Sequence, residues 1–230
     1  ADWGAINMMA STAVNVLEYC RVEYAYRGFH AHFADARLAN STFRANRRGA
    51  QFQESTVVID DCRFEDNFNG MQFRNSTVAM RNSRISGSYW GLRGVYSELE
   101  MRGCLVEGNL VNGVNLRDSE VVFIENTVRN NRRGLYLQRS KGDVSTSIIA
   151  YNSEHGIFLE DSEGIIKQNT IRANGRAGFR VVDSVATILN NNIVANGEYG
   201  FINDGAKDIK IAANWWGTIN NDALAGLVRD

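Results

Sequence analysis

The chain has 230 residues, a net charge of −1 and no proline. This length is enough for one sizeable domain, and the balanced charge argues against nucleic acid as a partner. No apolar run is long enough to cross a bilayer, which argues against membrane insertion. Proline cannot donate a backbone N–H to a sheet, so its absence suits a chain made mostly of central strands.

The main feature of the sequence is a glycine ladder with a period of 21 or 22 residues. A repeat this regular indicates a solenoid, in which each period forms one structural unit. The ladder consists of Gly28, Gly49, Gly70, Gly91, Gly113, Gly134, Gly156, Gly178 and Gly200.

Three further columns of residues keep the same period. The first is a serine column: Ser55, Ser76, Ser97, Ser119, Ser140, Ser162 and Ser184. The second column is small or amide: Cys20, Ser41, Cys62, Ser83, Cys104, Asn126, Ser147, Asn169 and Asn191. The third is mainly amide: Asn46, Asn67, Ser88, Asn109, Asn131, Asn152, Asn174 and Asn196. These columns mark three corners in every period.

Each period contains three short strands in chain order. Apolar and polar residues alternate after the glycine, as at Met71 and Phe73, and again after the serine, as at Val57 and Ile59. An apolar residue such as Ile149 lies two positions after the second column. Alternation with a period of two is typical of half-buried strands, and Ser, Asn and Gly between them favour turns.

This pattern predicts an all-β fold, a right-handed parallel β-helix of about ten coils with three short strands per coil. Strand spacing of about 4.8 Å gives a rod on the order of 48 Å long. We expect the ladder glycines to supply the positive φ of a tight corner. A leucine-rich repeat has a similar period, but its core pattern is not sustained here.

The repeat breaks near the C-terminus. We assign residues 1–213 to the β-helix and residues 214–230 to a cap of the same domain. Trp215 and Trp216 are large enough to cover the last coil, and residues 222–229 fit a short helix. The first residues already have the pattern of a coil without a cap, so we expect this chain to come from a longer protein with neighbouring domains.

The three cysteines share one column at intervals of two coils. Cys20, Cys62 and Cys104 would then lie roughly 9.6 Å from their neighbours. A disulfide needs Cα atoms within about 7 Å. We therefore predict three free, buried thiols that act as small packing residues.

The repeats at 126–140, NTVRNNRRGLYLQRS, and 169–184, NTIRANGRAGFRVVDS, resemble those of pectin-lyase-like parallel β-helix proteins. More narrowly, they resemble the carbohydrate-binding and sugar-hydrolase repeats, and residues 213–217 are similar to the end of periplasmic nitrous-oxide-reductase maturation β-helix proteins. The resemblance covers nearly the whole chain. It implies a bacterial protein that is secreted, periplasmic or on the cell surface, with a polysaccharide or other extended glycan as ligand.

The resemblance does not carry over an enzymatic motif. The epimerase and pectate lyase motifs of this group contain proline, which this chain lacks. Asp60 and Asp61 match one element of polygalacturonase-like glycosidases, but hydrolysis needs two carboxylates at a defined separation. We interpret this pair as a solvated turn.

Two histidines are the catalytic candidates, together with Arg74. His30 and His32 lie on one face of a strand, which we expect to be exposed to solvent, with Gln51 and Gln53 beside them in the next coil. Imidazoles can act as acid and base or bind a metal. Metal sites usually have three or four ligands, and no third is evident, so we predict neither a metal site nor a cofactor.

Binding is the function that the outward columns favour. Positions two and four after each glycine, and the turn before it, carry amides, arginines and aromatic rings. Aromatic faces can stack on sugar rings, and arginine forks match carboxylates or sulfates. The candidate ligand-binding residues are Gln51, Gln53, Gln72, Arg74, Tyr89, Trp90, Arg93, Arg117, Arg133 and Tyr136.

Three functions are compatible with the sequence. The first is an exported module without catalysis that binds an extended glycan, acidic or neutral, or presents a rigid surface to a partner. The second is a polysaccharide lyase, hydrolase or epimerase with a divergent site. The third is a structural spacer or surface-display rod, in which the outward columns are an ordinary solvated side.

Overall fold

The structure is a computed structural model that describes residues 2–230. Its strands form three parallel sheets, and one short helix, Asn221–Ala225, lies near the C-terminus. The first sheet contains Trp3–Met9, Ala25–His32, Arg48–Gln53, Asn69–Arg74, Trp90–Val95, Asn112–Arg117, Arg133–Gln138, His155–Glu160, Ala177–Val182, Tyr199–Asn203 and Val228–Arg229. The second contains Asn15–Glu18, Ala36–Ala39, Thr56–Asp60, Thr77–Arg81, Glu98–Arg102, Glu120–Ile124, Lys141–Ser145, Glu163–Lys167, Val185–Leu189 and Lys210–Ala212. The third contains Arg21–Glu23, Thr42–Arg44, Arg63–Glu65, Arg84–Ser86, Leu105–Glu107, Thr127–Arg129, Ile148–Ala150, Thr170–Arg172 and Asn192–Val194.

Strands pair with their counterparts one period earlier and one period later. Asn69–Arg74, for example, lies between Arg48–Gln53 and Trp90–Val95, and all three run in parallel. The chain therefore winds through the three sheets in turn, as a parallel β-helix of about ten coils. This confirms the predicted fold class. Within residues 2–230, no helix has the length and apolar character needed to cross a bilayer.

The core fills the interior of the coils. Inward side chains alternate with outward ones along each strand. In Asn69–Arg74, for example, Met71 and Phe73 are buried, whereas Gln72 and Arg74 reach the surface. Like residues stack from coil to coil, as Phe43 does on Phe64 with ring centroids 4.9 Å apart. Burial of such apolar columns is the main stabilising contribution in a solenoid.

The corners are held by side chains that bind the backbone of the neighbouring coil. Ser76 donates its backbone N–H to the Ser97 hydroxyl oxygen at 3.1 Å, and Ser97 donates in the same way to Ser119 at 3.1 Å. At the amide corner, the Asn152 side chain donates to the Asn174 side-chain oxygen at 2.9 Å. These bonds satisfy buried polar groups that would otherwise destabilise the fold.

The ladder glycines do not have the positive φ that we predicted. Positive φ at the corners is adopted by residues such as Asn75, with φ 48°, and Asp66, with φ 54°. The ladder glycines are needed for space instead: a Cβ atom on Gly91 would lie 2.3 Å from the carbonyl oxygen of Gly113 in the next coil. The predicted role was wrong because neighbouring coils approach so closely at this column that a side chain does not fit, whereas the backbone there has an ordinary φ.

The cysteines are free, as predicted. Cys62 and Cys104 are buried, and burial raises the pKa of each thiol to about 11. Cys20 is only half-buried, because it lies near the end of the stack.

The C-terminal end is covered by Trp216. Its ring packs against the core and lies over Gly200, within 2.8 Å of where a Cβ would stand. Trp215 does not cover the coil as expected: its side chain is exposed, and its backbone carbonyl instead accepts a hydrogen bond from Ile193 at 2.7 Å. The predicted helix over 222–229 is shorter, because Val228–Arg229 returns to the first sheet.

Candidate functional site

The candidate site is the outward side of the first sheet, which we call the first-sheet face. It comprises the residue before each ladder glycine and the residues two and four positions after it. Strand register aligns these positions: His30 lies beside Gln51, Gln51 beside Gln72, and Gln72 beside Arg93. The columns predicted from the sequence therefore form continuous rows on one surface.

Five of the predicted residues meet at one cavity. Gln51, Gln53, Gln72, Arg74 and Arg93 come from three adjacent strands and line a cavity of about 230 Å³. Side-chain amides can both donate and accept hydrogen bonds, and guanidinium groups donate in a planar fork. The cavity can therefore bind a polar ligand that carries hydroxyl or carboxylate groups.

Aromatic side chains form one edge of this face. The rings of Phe68 and Tyr89 are stacked with centroids 5.1 Å apart, and Trp90 meets Tyr89 edge-on at 6.1 Å. The Arg93 guanidinium lies over the Trp90 ring, 4.7 Å from its centroid. Phe68 and Tyr89 are exposed, so the ring surface that is not covered by their mutual stacking is open to a ligand.

Arginines without a carboxylate partner are concentrated on this face. Of the 21 arginines in the chain, 14 form an ion pair within residues 2–230 and seven do not. Five of those seven belong to the first-sheet face and the turn before it, between the coils of Gly28 and Gly91: Arg27, Arg47, Arg48, Arg74 and Arg93. The other two, Arg63 and Arg172, lie in the third sheet. This half of the face is strongly positive, although the whole chain is nearly neutral.

In the C-terminal half of the face, the arginines are paired with carboxylates. Glu154 accepts a hydrogen bond from Arg133 at 2.8 Å, and Asp204 accepts one from Arg180 at 2.8 Å. Arg117 lies 3.5 Å from the Asp118 carboxylate. The predicted ligand residues Arg117 and Arg133 are therefore already paired, and they lie apart from the Gln51–Arg93 cavity.

Unpartnered polar atoms also mark the first-sheet face. Seven buried side-chain nitrogen or oxygen atoms of the described residues have no hydrogen-bond partner. Six of them belong to this face: Arg27 Nε, His30 Nε2, Arg48 Nε, Asn69 Oδ1, Asn112 Oδ1 and His155 Nδ1. Buried polar groups are usually satisfied, so each exception needs an explanation such as a bound water, an ion or a functional role.

His30 is buried rather than exposed, with only 7% of its surface accessible. Its Nδ1 lies 3.0 Å from the Asn7 side-chain oxygen. Burial, followed by the charges of Arg27, His32 and Arg48, lowers the pKa of His30 to about 4. The predicted exposure was wrong because the adjacent coils and their long side chains cover this position.

Sequence reasoning overlooked His155. It occupies the column before the glycine, it is buried, and burial lowers its pKa to about 4. Nearby, Tyr136 stacks on Phe158 with centroids 4.7 Å apart and donates its hydroxyl to Glu160. Burial and this hydrogen bond raise the pKa of Tyr136 to about 12. The position of His155, in the same column as Trp90, was the signal that could have identified it.

The Asp60–Asp61 pair lies outside this face. Within residues 2–230, no group of three or more His, Cys, Asp or Glu side chains is placed to hold a metal ion. Asp60 ends a second-sheet strand, and the exposed Asp61 has φ 52° at the following corner. The pair therefore forms a turn, and this turn lies away from the histidines.

A larger cavity lies elsewhere, along the serine corner. It measures about 870 Å³ and crosses several coils. Arg139 pairs there with Asp118 at 2.7 Å and Lys141 with Glu163 at 4.0 Å, whereas Glu98, Glu120 and Asp161 of the lining form no ion pair within residues 2–230. This cavity is therefore acidic, and we place the candidate site on the first-sheet face, where the unpaired arginines lie beside five of the predicted ligand residues.

Comparison with known proteins agrees with this architecture. A family model described as right handed beta helix region matches residues 4–109 and 91–215. No curated protein matches the sequence. Among solved structures, the periplasmic alginate epimerase AlgG is similar, with 14% identity, a TM-score of 0.67, and coverage of 85% of this chain and 62% of that one.

Two further solved structures are similar to this chain. A mutant of that epimerase has 15% identity and a TM-score of 0.56, covering 94% of this chain and 77% of that one. The pectate lyase Pel9A has 14% identity and a TM-score of 0.46, covering 91% and 61%. This chain thus spans about three fifths of the length of the first epimerase chain. At these identities, the similarity to the epimerase shows the fold alone.

Proposed function

This chain belongs to the right handed beta helix family, and on that premise we propose that it binds an extended acidic polysaccharide along the first-sheet face. The ligand lies across the coils of Gly49, Gly70 and Gly91. The observation that carries the proposal is the group of unpaired arginines on this face, beside an amide-lined cavity and an exposed aromatic edge.

The chemistry of the face fits a sugar chain. Gln51, Gln53 and Gln72 offer amide groups to hydroxyls, while Phe68 and Tyr89 offer flat faces to sugar rings. These groups recur at the spacing of the coils, so successive sugars of one chain meet successive rows. Rigid strands hold the groups in place, which reduces the entropy lost on binding.

The charge of the face favours an acidic ligand. Arg74 and Arg93 line the cavity and have no carboxylate partner among the described residues. A guanidinium binds a carboxylate through two parallel hydrogen bonds, which gives both affinity and orientation. A neutral glycan would leave these charges uncompensated.

The similar solved structure supports the same class of ligand. It is named as a periplasmic alginate epimerase, and its fold matches this chain at a TM-score of 0.67. A polysaccharide-binding role and an exported location follow for this chain as part of the proposal.

Catalysis by a divergent lyase, hydrolase or epimerase site is the second candidate. The group of His155, Tyr136 and Glu160 is the observation that favours it. General acid–base catalysts work best with a pKa near the operating pH. The pKa values of His30 and His155, about 4, and of Tyr136, about 12, have moved away from neutrality, which supports binding over catalysis.

The test is retention on a panel of immobilised polysaccharides, two polyuronates and two neutral glucans, with assay of new reducing or unsaturated ends. We expect retention on the polyuronates without cleavage. Trp90→Ala or Arg93→Ala should weaken retention by about tenfold, because Arg93 supplies a charged contact and the Trp90 ring, 4.7 Å away, positions its guanidinium. Salt should weaken it further.

Arg63→Ala provides the matched control, because Arg63 is also an arginine without an ion pair but lies in the third sheet. It should bind like the unmodified protein. Cleavage that is lost in His30→Ala or Arg74→Ala would contradict the binding-module proposal and would show that the chain is an enzyme. Absence of retention on every polysaccharide would favour the spacer.

A further inference from the structure

Three arginines surround one tyrosine at the N-terminal end of the first-sheet face. The guanidinium carbons of Arg27, Arg47 and Arg48 lie 5.4, 5.0 and 5.5 Å from the centroid of the Tyr26 ring. Arg27 and Arg48 are register partners on adjacent strands. We call these four residues the arginine cluster. None of its arginines has a carboxylate within 4 Å among residues 2–230.

The Arg-Arg-Gly motif occurs a second time in the chain, and there the arginines have a carboxylate partner. Arg132 and Arg133 precede Gly134 as Arg47 and Arg48 precede Gly49. In the later motif, Glu154 of the next coil accepts hydrogen bonds from both arginines, at 2.8 Å each. The protein therefore supplies its own carboxylate to the Arg132–Arg133 pair.

The position equivalent to Glu154 is a phenylalanine at the earlier motif. Glu154 lies two residues before its ladder glycine, and Phe68 lies two residues before Gly70. Phe68 is exposed and stacks on Tyr89, so it contributes no charge to the cluster. Arg47 and Arg48 thus lack the anion that their counterparts have.

Buried donors of the cluster lack partners as well. Arg27 Nε and Arg48 Nε are buried without a hydrogen bond. Nε2 of the buried His30 is also unpartnered, but because Nδ1 faces the Asn7 side-chain oxygen at 3.0 Å, Nε2 is an acceptor in the neutral ring and donates only when the ring is protonated. Burial is the largest cause of the lowered pKa of His30, followed by the positive charges of Arg27, His32 and Arg48. The two unpartnered Nε–H donors belong to register partners on adjacent strands, so the cluster combines unsatisfied donors with positive charge.

We propose that the arginine cluster, which lies beside His30, binds a tetrahedral oxyanion, namely a phosphate or sulfate group. A single carboxylate would compensate only one of the three guanidinium charges. A phosphate or sulfate group carries up to two charges and several strong acceptor oxygens that point in different directions. This arrangement matches donors that come from two strands and a turn.

The site adjoins the proposed glycan-binding site in the Gly49 coil, where Arg48 donates a hydrogen bond to the cavity residue Gln51 at 2.8 Å. It lies in the Gly28 and Gly49 coils, and its arginines do not line the cavity of Arg74 and Arg93. The oxyanion can be a free ion or an ester group on a larger molecule, and a sulfated polymer distinguishes the two sources.

The experiment is a titration of the full chain with sodium sulfate, sodium phosphate, sodium acetate and sodium chloride at matched ionic strength. Side-chain NMR signals of the histidines give the readout, because the chain has only three. Sulfate and phosphate should shift the His30 signals in a saturable manner, whereas acetate and chloride should not. His155 serves as an internal control, since six coils place it roughly 29 Å away.

Phe68→Glu is the decisive variant, because it installs the carboxylate that the second motif already has. It should weaken sulfate binding by about tenfold or more and raise the melting temperature in the absence of sulfate. Phe68→Gln is the matched control and should bind sulfate as the unmodified chain does. Both variants remove the same exposed ring, so a fault in folding would affect them equally.

Dextran sulfate and plain dextran identify the source of the oxyanion. Tighter binding of dextran sulfate that is lost in Phe68→Glu assigns the site to an esterified group, and binding no tighter than that of inorganic sulfate assigns it to a free ion. A His30 response to sulfate no larger than to chloride would overturn the proposal, and so would an equal response in Phe68→Glu and Phe68→Gln. An equal response to acetate would contradict the proposed preference for tetrahedral oxyanions over carboxylates.

Discussion

His30 and His155 lie beneath the first-sheet face, and burial is the largest cause of the lowered pKa of each. Arginines on the neighbouring strands act in the same direction, as Arg180 does on His155. At the scale of single residues, the face therefore combines positive charge at its surface with neutral imidazoles below it. This combination suits the recognition of anions more than the transfer of protons at neutral pH.

The buried histidines should make stability depend on pH. Below pH 6.5, His155 takes up a proton in the unfolded chain but not in the folded one until about pH 4. The free energy of unfolding should therefore fall as the pH falls through this window, by up to about 3 kcal/mol for one such group. Urea unfolding of the unmodified chain and of His155→Gln from pH 8 to pH 4.5 measures it.

The variant should show a smaller fall than the unmodified chain. At pH 8 both states hold a neutral imidazole, so the difference there reports the packing cost alone and serves as the control. Identical pH slopes for the two chains would contradict the assigned burial of His155.

At the scale of the structural element, the coil is defined by close contact with the next coil. The ladder glycines allow backbones to approach, and the asparagine and serine corners bond to the coil that follows. Asn152, for example, also accepts a hydrogen bond from the backbone N–H of Asn131 at 3.0 Å. The columns of the sequence are thus columns of contact between coils.

Gly91→Ala should destabilise the fold. Its new Cβ would lie 2.3 Å from the Gly113 carbonyl oxygen, so the two coils must separate. The expected loss is about 1–3 kcal/mol in the free energy of unfolding, measured in urea. Gly4→Ala is the control, because no heavy atom lies within 4 Å of its Cβ, and its effect should stay within about 0.5 kcal/mol. Equal effects would show that space is not the reason for the ladder.

At the scale of the whole molecule, the solenoid is a stack whose contacts join each coil to its neighbours. Such a stack exposes an apolar cross-section and open sheet edges where it ends. Trp216 covers the interior at the C-terminal end, and the backbone of Trp215 bridges to Asn192 at the edge of the third sheet. The two neighbouring tryptophans therefore protect the end in different ways.

Trp216→Ala should lower the free energy of unfolding by about 2–3 kcal/mol, because it uncovers the last coil. Trp215→Ala should have a much smaller effect, since that side chain is exposed and its contribution is made by the backbone. Thermal unfolding followed by circular dichroism compares the two variants. A larger loss from Trp215→Ala would contradict the assigned cap.

The glycine, serine and amide columns were enough to predict the fold and the outward rows of the candidate site, because in a stack of coils each residue meets its own counterpart one period away. The period alone predicts that Gln51, Gln72 and Arg93 lie side by side, and the strand register confirms it. Alternation and period are properties of the chain itself, so the sequence by itself determined these features.

Only the tertiary structure decided which charges are compensated and which side chains are covered. Arg133 is paired and Arg48 is not, although both follow an arginine and precede a ladder glycine, because the next coil supplies Glu154 in one case and Phe68 in the other. His30 is covered by groups of neighbouring coils, which no pattern within its own strand reveals. Pairing and burial depend on how side chains from adjacent coils orient in space, and that is the physical reason why the positive face emerged from the structure.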